Sequence, residues 1–163
     1  MKLGGAHVTV TCGARNLELL RSLGADEVLD YRTPEGERYE CPIAGHKYDV
    51  VLQCAHFVPL ASFAPVLKPV AKVIDLTPTF TSLRESFYNK LVLFTMLAKS
   101  RHTFENFFMA SSGADLEVLA GLVRDGKLKV VIDSKFPLAK AGEAWDRSIG
   151  RHATGKILVC NSS

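Results

Sequence analysis

The sequence predicts an α/β fold built on a doubly wound parallel sheet. Short strand patterns, rich in β-branched and apolar residues, alternate along the chain with helical patterns, and this alternation is typical of βαβ units. The 163 residues are 47% hydrophobic and carry a net charge of only +3. That apolar content is enough for a buried core and excludes a disordered chain. We therefore expect a folded globular protein.

Charge and cysteine patterns exclude several other classes. Lys and Arg are scattered without a block of five like charges, which argues against a nucleic-acid-binding protein. No apolar run reaches the roughly 18 residues that a membrane span needs. The cysteines lie far apart without a C-x-x-C pair, so we expect reduced thiols in a reducing intracellular compartment; they are Cys12, Cys41, Cys54 and Cys160.

The first half of the chain predicts four short strands and little regular helix. A helix is indicated by leucines at helical spacing from Leu17, with Gly24 at the expected C-cap. Thr33 to Lys47 is interpreted as a loop with a weak helical turn, and Ser62 to Leu67 as a short helical stretch broken by prolines. The predicted strands are His7–Cys12, Val28–Tyr31, Tyr48–Cys54 and Ala71–Thr77.

The second half predicts longer helices between its strands. Ser82 to Ser100 has one apolar face and is interpreted as a long helix. Ser112 is a candidate cap for a further helix that ends before Gly126. The remaining predicted elements are a fifth strand at Thr103–Ala110, an extended segment at Val130–Phe136, a helix at Ala139–Ile149 and a closing strand at Ile157–Cys160.

Ligands of open parallel sheets bind beyond the carboxyl ends of the strands, so residues that follow strands are the candidates. Gly13 ends the first strand and leaves room for a phosphate, which the Arg15 guanidinium can hold with two hydrogen bonds. Tyr31 ends the second strand, and its hydroxyl can donate to the same phosphate. The alternative interpretation is structural: a turn glycine, a solvated arginine and a tyrosine at the edge of the core.

A resemblance extends these observations. The segment Val8–Arg32, V-T-V-T-C-G-A-R-N-L-E-L-L-R-S-L-G-A-D-E-V-L-D-Y-R, resembles the second strand, helix and third strand of the medium-chain dehydrogenase/reductase superfamily in its quinone-oxidoreductase branch. Tyr48–Leu52 is similar to the fourth strand of that family. The later pieces F-F-M-A-S, L-V-R-D-G-K-L, F-P-L and R-H-A-T-G-K-I-L-V follow its C-terminal order. F-F-M-A-S and H-A-T-G-K are most similar to its reticulon-interacting mitochondrial members.

The resemblance implies an NADPH-dependent reductase that transfers hydride to a quinone, enal or enone without catalytic zinc. By position, Gly13, Arg15 and Tyr31 would meet the 2′-phosphate end of NADPH. The ends of later strands would line the ribose and nicotinamide, and no proton donor is assigned; these residues are Cys54, Ala55, Leu76, Thr77, Phe108 and Met109. Relatives pair edge to edge at the last strand of the sheet, which implies a homodimer through Thr103–Ala110.

Two parts of the family pattern are absent: the first strand with its Gly-rich phosphate turn, and the N-terminal catalytic domain. Gly4 and Gly5 precede a strand, whereas the phosphate turn follows one. In the strand order 3-2-1-4-5-6 the absent strand is central. Its neighbours would then keep unpaired edges unless they close on each other or another polypeptide fills the gap.

We therefore expect the C-terminal part of a longer protein. Residues 1–163 would comprise a dinucleotide-binding (Rossmann) domain fragment together with the C-terminal helix–strand extension of the catalytic domain. The alternative is a non-catalytic truncated product that serves as a protein-interaction or dimerisation module. Cytoplasm and mitochondrion are both compatible with the sequence, because an organelle presequence would lie upstream of Met1.

Other enzyme classes lack their motifs. The histidines and cysteines show no metal-ligand spacing, Tyr88 is not followed by the lysine of a Tyr-x-x-x-Lys pair, and G-x-S-x-G is absent. A methyltransferase would favour an acidic residue after the first observed strand, where this chain has Gly13 and Arg15. His56, at a strand end, is interpreted as a structural residue, although it could contact the nicotinamide.

Overall fold

The structure is a computed structural model that describes residues 1–55, 58–77 and 102–161. The predicted helix at Ser82–Ser100 and the candidate residue His56 lie outside the described residues. The chain divides into two compact units, a first unit of Met1–Ser111 and a second unit of Ser112–Ser163.

The first unit begins with alternating strands and helices, as the periodicity predicts. Gly24, with a φ of +93°, follows the first helix at the predicted C-cap, in a conformation that glycine adopts without strain. The strands and α-helices are β1 (Thr9–Cys12), α1 (Leu17–Ser22), β2 (Glu27–Asp30), α2 (Pro34–Glu37), β3 (Tyr48–Gln53), β4 (Leu67–Asp75) and β5 (Thr103–Asn106). Single-turn or longer 3₁₀ helices occupy Lys2–Gly4, Ala14–Asn16 and Leu60–Val66.

The strand pairs that the structure describes in the first unit are all parallel, which confirms the α/β fold class. β1 pairs with β2, from Thr9 opposite Glu27 to Cys12 opposite Asp30. β3, β4 and β5 form a second ladder in that order. Within the described residues the strands therefore form two ladders, β2-β1 and β3-β4-β5.

The core of the first unit lies on one face of the β3-β4 pair. Phe63, Val66, Leu67, Ala71 and Val73 are buried together there. The 3₁₀ segment that precedes β4 supplies two of these side chains, so this short helix covers part of the face. Burial of this apolar surface fixes the face that β3 and β4 present.

Most strand boundaries differ from the sequence-based expectation by one or two residues, and the start of β4 and the end of β5 differ by more. β4 begins at Leu67 instead of Ala71, and its register with β3 shifts between Tyr48 and Val50. This irregularity accommodates Pro69, which has no N–H to give to a regular ladder. The predicted strand Thr103–Ala110 ends at Asn106, because Asn106 lies opposite Asp75, the last residue of β4.

The second unit is built on two parallel strands with a helix between them. Its elements are α3 (Gly113–Arg124), β6 (Ile132–Pro137), α4 (Ala141–Ile149) and β7 (Lys156–Cys160), with a 3₁₀ turn at Leu138–Lys140. The Ser112 hydroxyl accepts a hydrogen bond from the Asp115 amide at 3.2 Å, which confirms the predicted cap of α3. β6 pairs with β7 in parallel.

Asp133 links three segments of the second unit. Its carboxylate accepts hydrogen bonds from Arg147 Nε at 3.0 Å and Nη2 at 2.8 Å, and from the Thr154 amide at 2.8 Å. The side chain of Asp133 is only 8% exposed. Because Arg147 is on α4 and Thr154 precedes β7, one carboxylate fixes the helix and the loop against β6.

We expect Asp133→Asn to lower the melting midpoint of the second unit at pH 7. The hydrogen bonds from Arg147, followed by the Thr154 amide, hold the pKa of Asp133 well below its usual range. A carboxyl whose pKa is lower in the folded state stabilises the fold at any pH above its pKa in the unfolded chain, which is about 4. This contribution is lost as the pH falls from about 4 toward the pKa of the folded state. The difference between wild type and variant should therefore shrink between pH 7 and pH 3.

The fluorescence of Trp145, the only tryptophan in the chain, reports melting of this unit from α4 itself. Asp125→Asn is the matched control, because Asp125 forms an exposed ion pair with Lys127 that contributes little. An equal loss for D125N and D133N, or a D133N effect independent of pH, would contradict the assigned role.

Two glycines in helices should respond oppositely to alanine. A Cβ on buried Gly36 would overlap the Asp30 carbonyl oxygen, so Gly36→Ala should destabilise the first unit by about 1–3 kcal/mol. Gly121, within α3, has open space around it, and Gly121→Ala should stabilise the second unit by about 0.5–1 kcal/mol. Urea denaturation of both variants checks the pair, and destabilisation by G121A would contradict this packing.

Candidate functional site

The carboxyl ends of β1 and β2 lie side by side, because Cys12 is opposite Asp30 in the parallel register. Gly13 follows β1, and Tyr31 follows β2. A Cβ on Gly13 would come 3.3 Å from the Tyr31 hydroxyl oxygen, so a larger residue at position 13 would crowd that hydroxyl. Tyr31 is 49% exposed, so a ligand can reach its hydroxyl beside Gly13, which has no side chain. The structure brings together these two predicted residues.

Two arginines flank this pair. Arg15 is exposed on the 3₁₀ turn that follows Gly13. The Arg32 guanidinium carbon stands 5.8 Å from the centroid of the Tyr31 ring, within the range of a cation–π contact. In the described part of the chain neither guanidinium forms a salt bridge, so both charges are available to an anion. Gly13, Arg15, Tyr31 and Arg32 are named here the β1-β2 end.

Asp30 places a carboxylate near this group. Its Oδ1 accepts a hydrogen bond from the Arg32 amide at 3.0 Å, which shapes the turn after β2. Partial burial, together with the Asp30 charge, raises the pKa of the Cys12 thiol. Cys12 therefore stays protonated at neutral pH and contributes no negative charge to the β1-β2 end.

The second group of predicted residues follows β3 and β4. The Leu76 amide donates to the Gln53 carbonyl at 2.9 Å, and the Thr77 hydroxyl oxygen lies 3.4 Å from the Ala55 carbonyl oxygen. These contacts join the segment after β3 to the segment after β4. Cys54, Ala55, Leu76 and Thr77, named here the β3-β4 end, are thus brought together as expected.

Cys54 is not an activated nucleophile. Partial burial, and then the charge of Asp75, raise the pKa of its thiol. Its Sγ lies 3.9 Å from the Leu52 carbonyl oxygen. A protonated thiol can line a pocket, but it is a poor attacking group.

Phe108 and Met109 lie beyond the end of β5, and Met109 is 88% exposed. The Phe107 amide donates to the Asp75 carbonyl at 2.8 Å, which connects this segment to the end of β4. The predicted contact of Phe108 and Met109 with the nicotinamide remains a prediction.

Sequence reasoning missed Arg32 and Asp75. The Asp75 Oδ1 accepts from the Thr77 amide at 2.8 Å and from its hydroxyl at 2.9 Å, and so orders the turn after β4. The signal was the spacing Asp75-Leu76-Thr77, in which an Asp caps the backbone two residues on. For Arg32 the signal was its place directly after Tyr31, at the end of the same strand.

Neither a metal-ligand cluster nor a helix fit to cross a membrane occurs in the described ranges. No three His, Cys, Asp or Glu side chains converge there in a way that could hold a metal ion. None of the helices described has both the length and the apolar character that a membrane crossing requires.

The chain is similar to known proteins along most of its length. The family described as zinc-binding dehydrogenase matches residues 23–159. A chloroplast envelope quinone oxidoreductase homolog of Arabidopsis thaliana is 47% identical over 158 residues, covering 97% of this chain and 46% of the relative. The NAD(P)H oxidoreductase RTN4IP1 of Danio rerio is 31% identical and covers 98% of this chain and 44% of the relative.

Two further comparisons agree. A chloroplastic NADPH-dependent alkenal/one oxidoreductase of Arabidopsis thaliana is 32% identical, covering 96% of this chain and 34% of the relative. The structure of a quinone oxidoreductase from Coxiella burnetii superimposes with a TM-score of 0.74 at 22% identity, over 96% of this chain and 45% of that one. This chain spans less than half the length of these relatives. It belongs to the zinc-binding dehydrogenase family, within the medium-chain dehydrogenase/reductase superfamily that its sequence resembles.

Proposed function

We propose that the protein to which this chain belongs is an NADPH-dependent oxidoreductase that transfers hydride to a quinone, enal or enone without catalytic zinc. NADPH supplies the hydride, and the chain binds and orients the nucleotide. Holding the nicotinamide against an activated acceptor accounts for much of the rate in such reactions. The β3-β4 end would line the ribose and nicotinamide, with Phe108 and Met109 beside them.

The single observation that carries the proposal is the β1-β2 end. A 2′-phosphate needs space and positive charge, and Gly13 leaves that space beside the Tyr31 hydroxyl. Arg15 supplies a guanidinium that no carboxylate of the described residues neutralises. An NADH-specific site would instead favour an acidic residue directly after β1, where this chain has Gly13.

The acceptor class follows from the names of the relatives. They are named as quinone or alkenal/one oxidoreductases, so an electron-poor conjugated carbonyl is the proposed acceptor. The zinc-free mechanism is proposed only on the resemblance to the quinone-oxidoreductase branch. The four cysteines are free, which suits the proposed reducing compartment of the cell, whether cytoplasm or an organelle such as the chloroplast or mitochondrion of the named relatives.

A second candidate function is a non-catalytic dimerisation or interaction module. β5 pairs only with β4 among the described strands, so its other edge is open to a second copy. Phe107 and Phe108, which follow β5, are exposed apolar side chains near that edge. Nucleotide binding favours the reductase, whereas concentration-dependent association without nucleotide binding favours the module.

Arg15→Glu should lower the affinity for NADPH by about 10- to 100-fold and leave the affinity for NADH nearly unchanged. The reason is the loss of a charge-assisted hydrogen bond, worth about 1.5–3 kcal/mol, to a phosphate that NADH lacks. Isothermal titration calorimetry with both nucleotides measures the two changes directly.

Arg21→Glu is the matched control. Arg21 is exposed on α1 and already pairs with Glu18 at 2.8 Å, so its reversal should leave both affinities unchanged. An equal loss of NADPH and NADH binding in R15E would contradict the phosphate role of Arg15. If R21E lowered the NADPH affinity as much as R15E does, the effect would come from net charge and not from a contact of Arg15 with the phosphate.

A further inference from the structure

Gln53, the last residue of β3, holds the segment that follows the strand. Its side chain is buried, and its Nε2 donates to the Val58 carbonyl at 3.2 Å and to the Ala55 carbonyl at 3.4 Å. These two acceptors fix the orientation of the carboxamide, because the reverse orientation would set its oxygen against both carbonyls. Both N–H groups of Gln53 are therefore used within the chain.

The Oε1 atom of Gln53 is an acceptor without a partner. It is buried, and no donor in the described part of the chain reaches it. Buried acceptors are normally satisfied, because burial without a hydrogen bond is costly. Since the nitrogen of the same carboxamide binds the Ala55 carbonyl, this unused acceptor belongs to the surroundings of the β3-β4 end.

Asp75 fixes the hydroxyl of Thr77 across the same end. The Asp75 Oδ1 lies 2.9 Å from the Thr77 hydroxyl oxygen, whereas the Ala55 carbonyl oxygen lies 3.4 Å from it. A carboxylate is the stronger acceptor and is also the nearer one here, so the single hydroxyl proton goes to Asp75. Toward a ligand, the Thr77 oxygen can then act only as an acceptor.

The other donors at this end are occupied as well. The Cys54 Sγ lies 3.9 Å from the Leu52 carbonyl oxygen, and the Leu76 amide donates to the Gln53 carbonyl at 2.9 Å. Ala55 and Leu76 have no polar atoms in their side chains. In this described part of the chain, the side chains of the β3-β4 end and of the two residues that hold it thus present acceptors and no unused donor.

We propose that Gln53 and Asp75 are positioning residues that make the β3-β4 end a set of acceptors for the donor groups of a nicotinamide riboside. The donors of that half of NADPH are the carboxamide N–H groups and the ribose hydroxyls. This role rests on the proposed function, because the ligand is the cofactor named there. A ligand that offers only acceptors finds no side-chain partner at this end.

The two ends of the first unit then differ in hydrogen-bonding character. The β1-β2 end presents the guanidinium groups of Arg15 and Arg32 and the hydroxyl of Tyr31, which donate to a phosphate. The β3-β4 end presents acceptors, to which a phosphate dianion has no proton to give. This difference selects the direction in which a dinucleotide lies, with its phosphate-bearing adenosine at one end and its riboside at the other.

Thr77→Val tests the acceptor role, and Thr77→Ser is the matched variant that keeps the hydroxyl. Isothermal titration calorimetry of the protein to which this chain belongs compares NADPH with adenosine 2′,5′-bisphosphate, which has the phosphate but no nicotinamide riboside. We expect T77V to bind NADPH about 3- to 10-fold more weakly, because one neutral hydrogen bond is lost at the β3-β4 end. T77V should bind the bisphosphate as the wild type does, and T77S should restore NADPH binding.

Gln53→Met and Asp75→Ala test the positioning roles. Both should weaken binding of NADPH but not of the bisphosphate. A second probe is the acetylpyridine analogue of NADPH, in which a methyl group replaces the carboxamide nitrogen. If the carboxamide is the donor, the wild type prefers NADPH to this analogue, D75A loses the preference, and Asp75→Asn, whose Oδ1 still accepts, restores it. Equal wild-type affinities for the two, with T77V weakened for both, assign the donor to a ribose hydroxyl.

Three results would overturn the inference. T77V might as well be wild type if its NADPH affinity is unchanged, and a T77S variant as weak as T77V would remove the role of the hydroxyl. Equal losses of NADPH and bisphosphate binding in T77V would indicate a general disturbance of the fold. All three leave the proposed function standing, because the wild type still binds NADPH. A wild type that binds neither nucleotide would refute the proposed function and this inference together.

Discussion

Backbone pairing is the constraint on which the rest of this structure depends. A strand inside a parallel sheet has hydrogen-bonding groups on both edges, and burial without partners is costly for each of them. β1 and β3 each have one partner strand among the described residues. The core on the β3-β4 pair and the turns of the β1-β2 pair are well defined separately, and no described strand joins β1 to β3.

The candidate site is divided in the same way, with one group of residues at the end of each ladder. The β1-β2 end offers the features of a phosphate site, and the β3-β4 end offers carbonyls and small side chains joined by the Leu76–Gln53 hydrogen bond. A dinucleotide that contacts both groups would need the two ladders at a fixed spacing.

Local sequence signals predicted much of the fold. Gly24 ends a helix through its backbone conformation, and Ser112 begins one through its hydroxyl. Both signals depend only on residues that are close in the sequence. Gly13 and Tyr31 were found because parallel strands bring their carboxyl ends together. Boundaries that depend on a distant partner were not predictable: β5 stops at Asn106 because β4 stops at Asp75. The Asp133 bonds to Arg147 and Thr154 span 14 and 21 residues, beyond any local pattern.

Amide hydrogen exchange along β1 and β3, resolved by residue, tests the central claim most directly. The account predicts alternation within single strands: the amides of Val10, Cys12, Val51 and Gln53 exchange slowly, because they face β2 or β4. Those of Thr9, Thr11, Val50 and Leu52 should exchange at close to the rate of an unstructured amide, because no strand in the described part of the chain pairs with them. Uniform protection along both strands would contradict the account, since it would mean that the two edges are already paired in the chain alone.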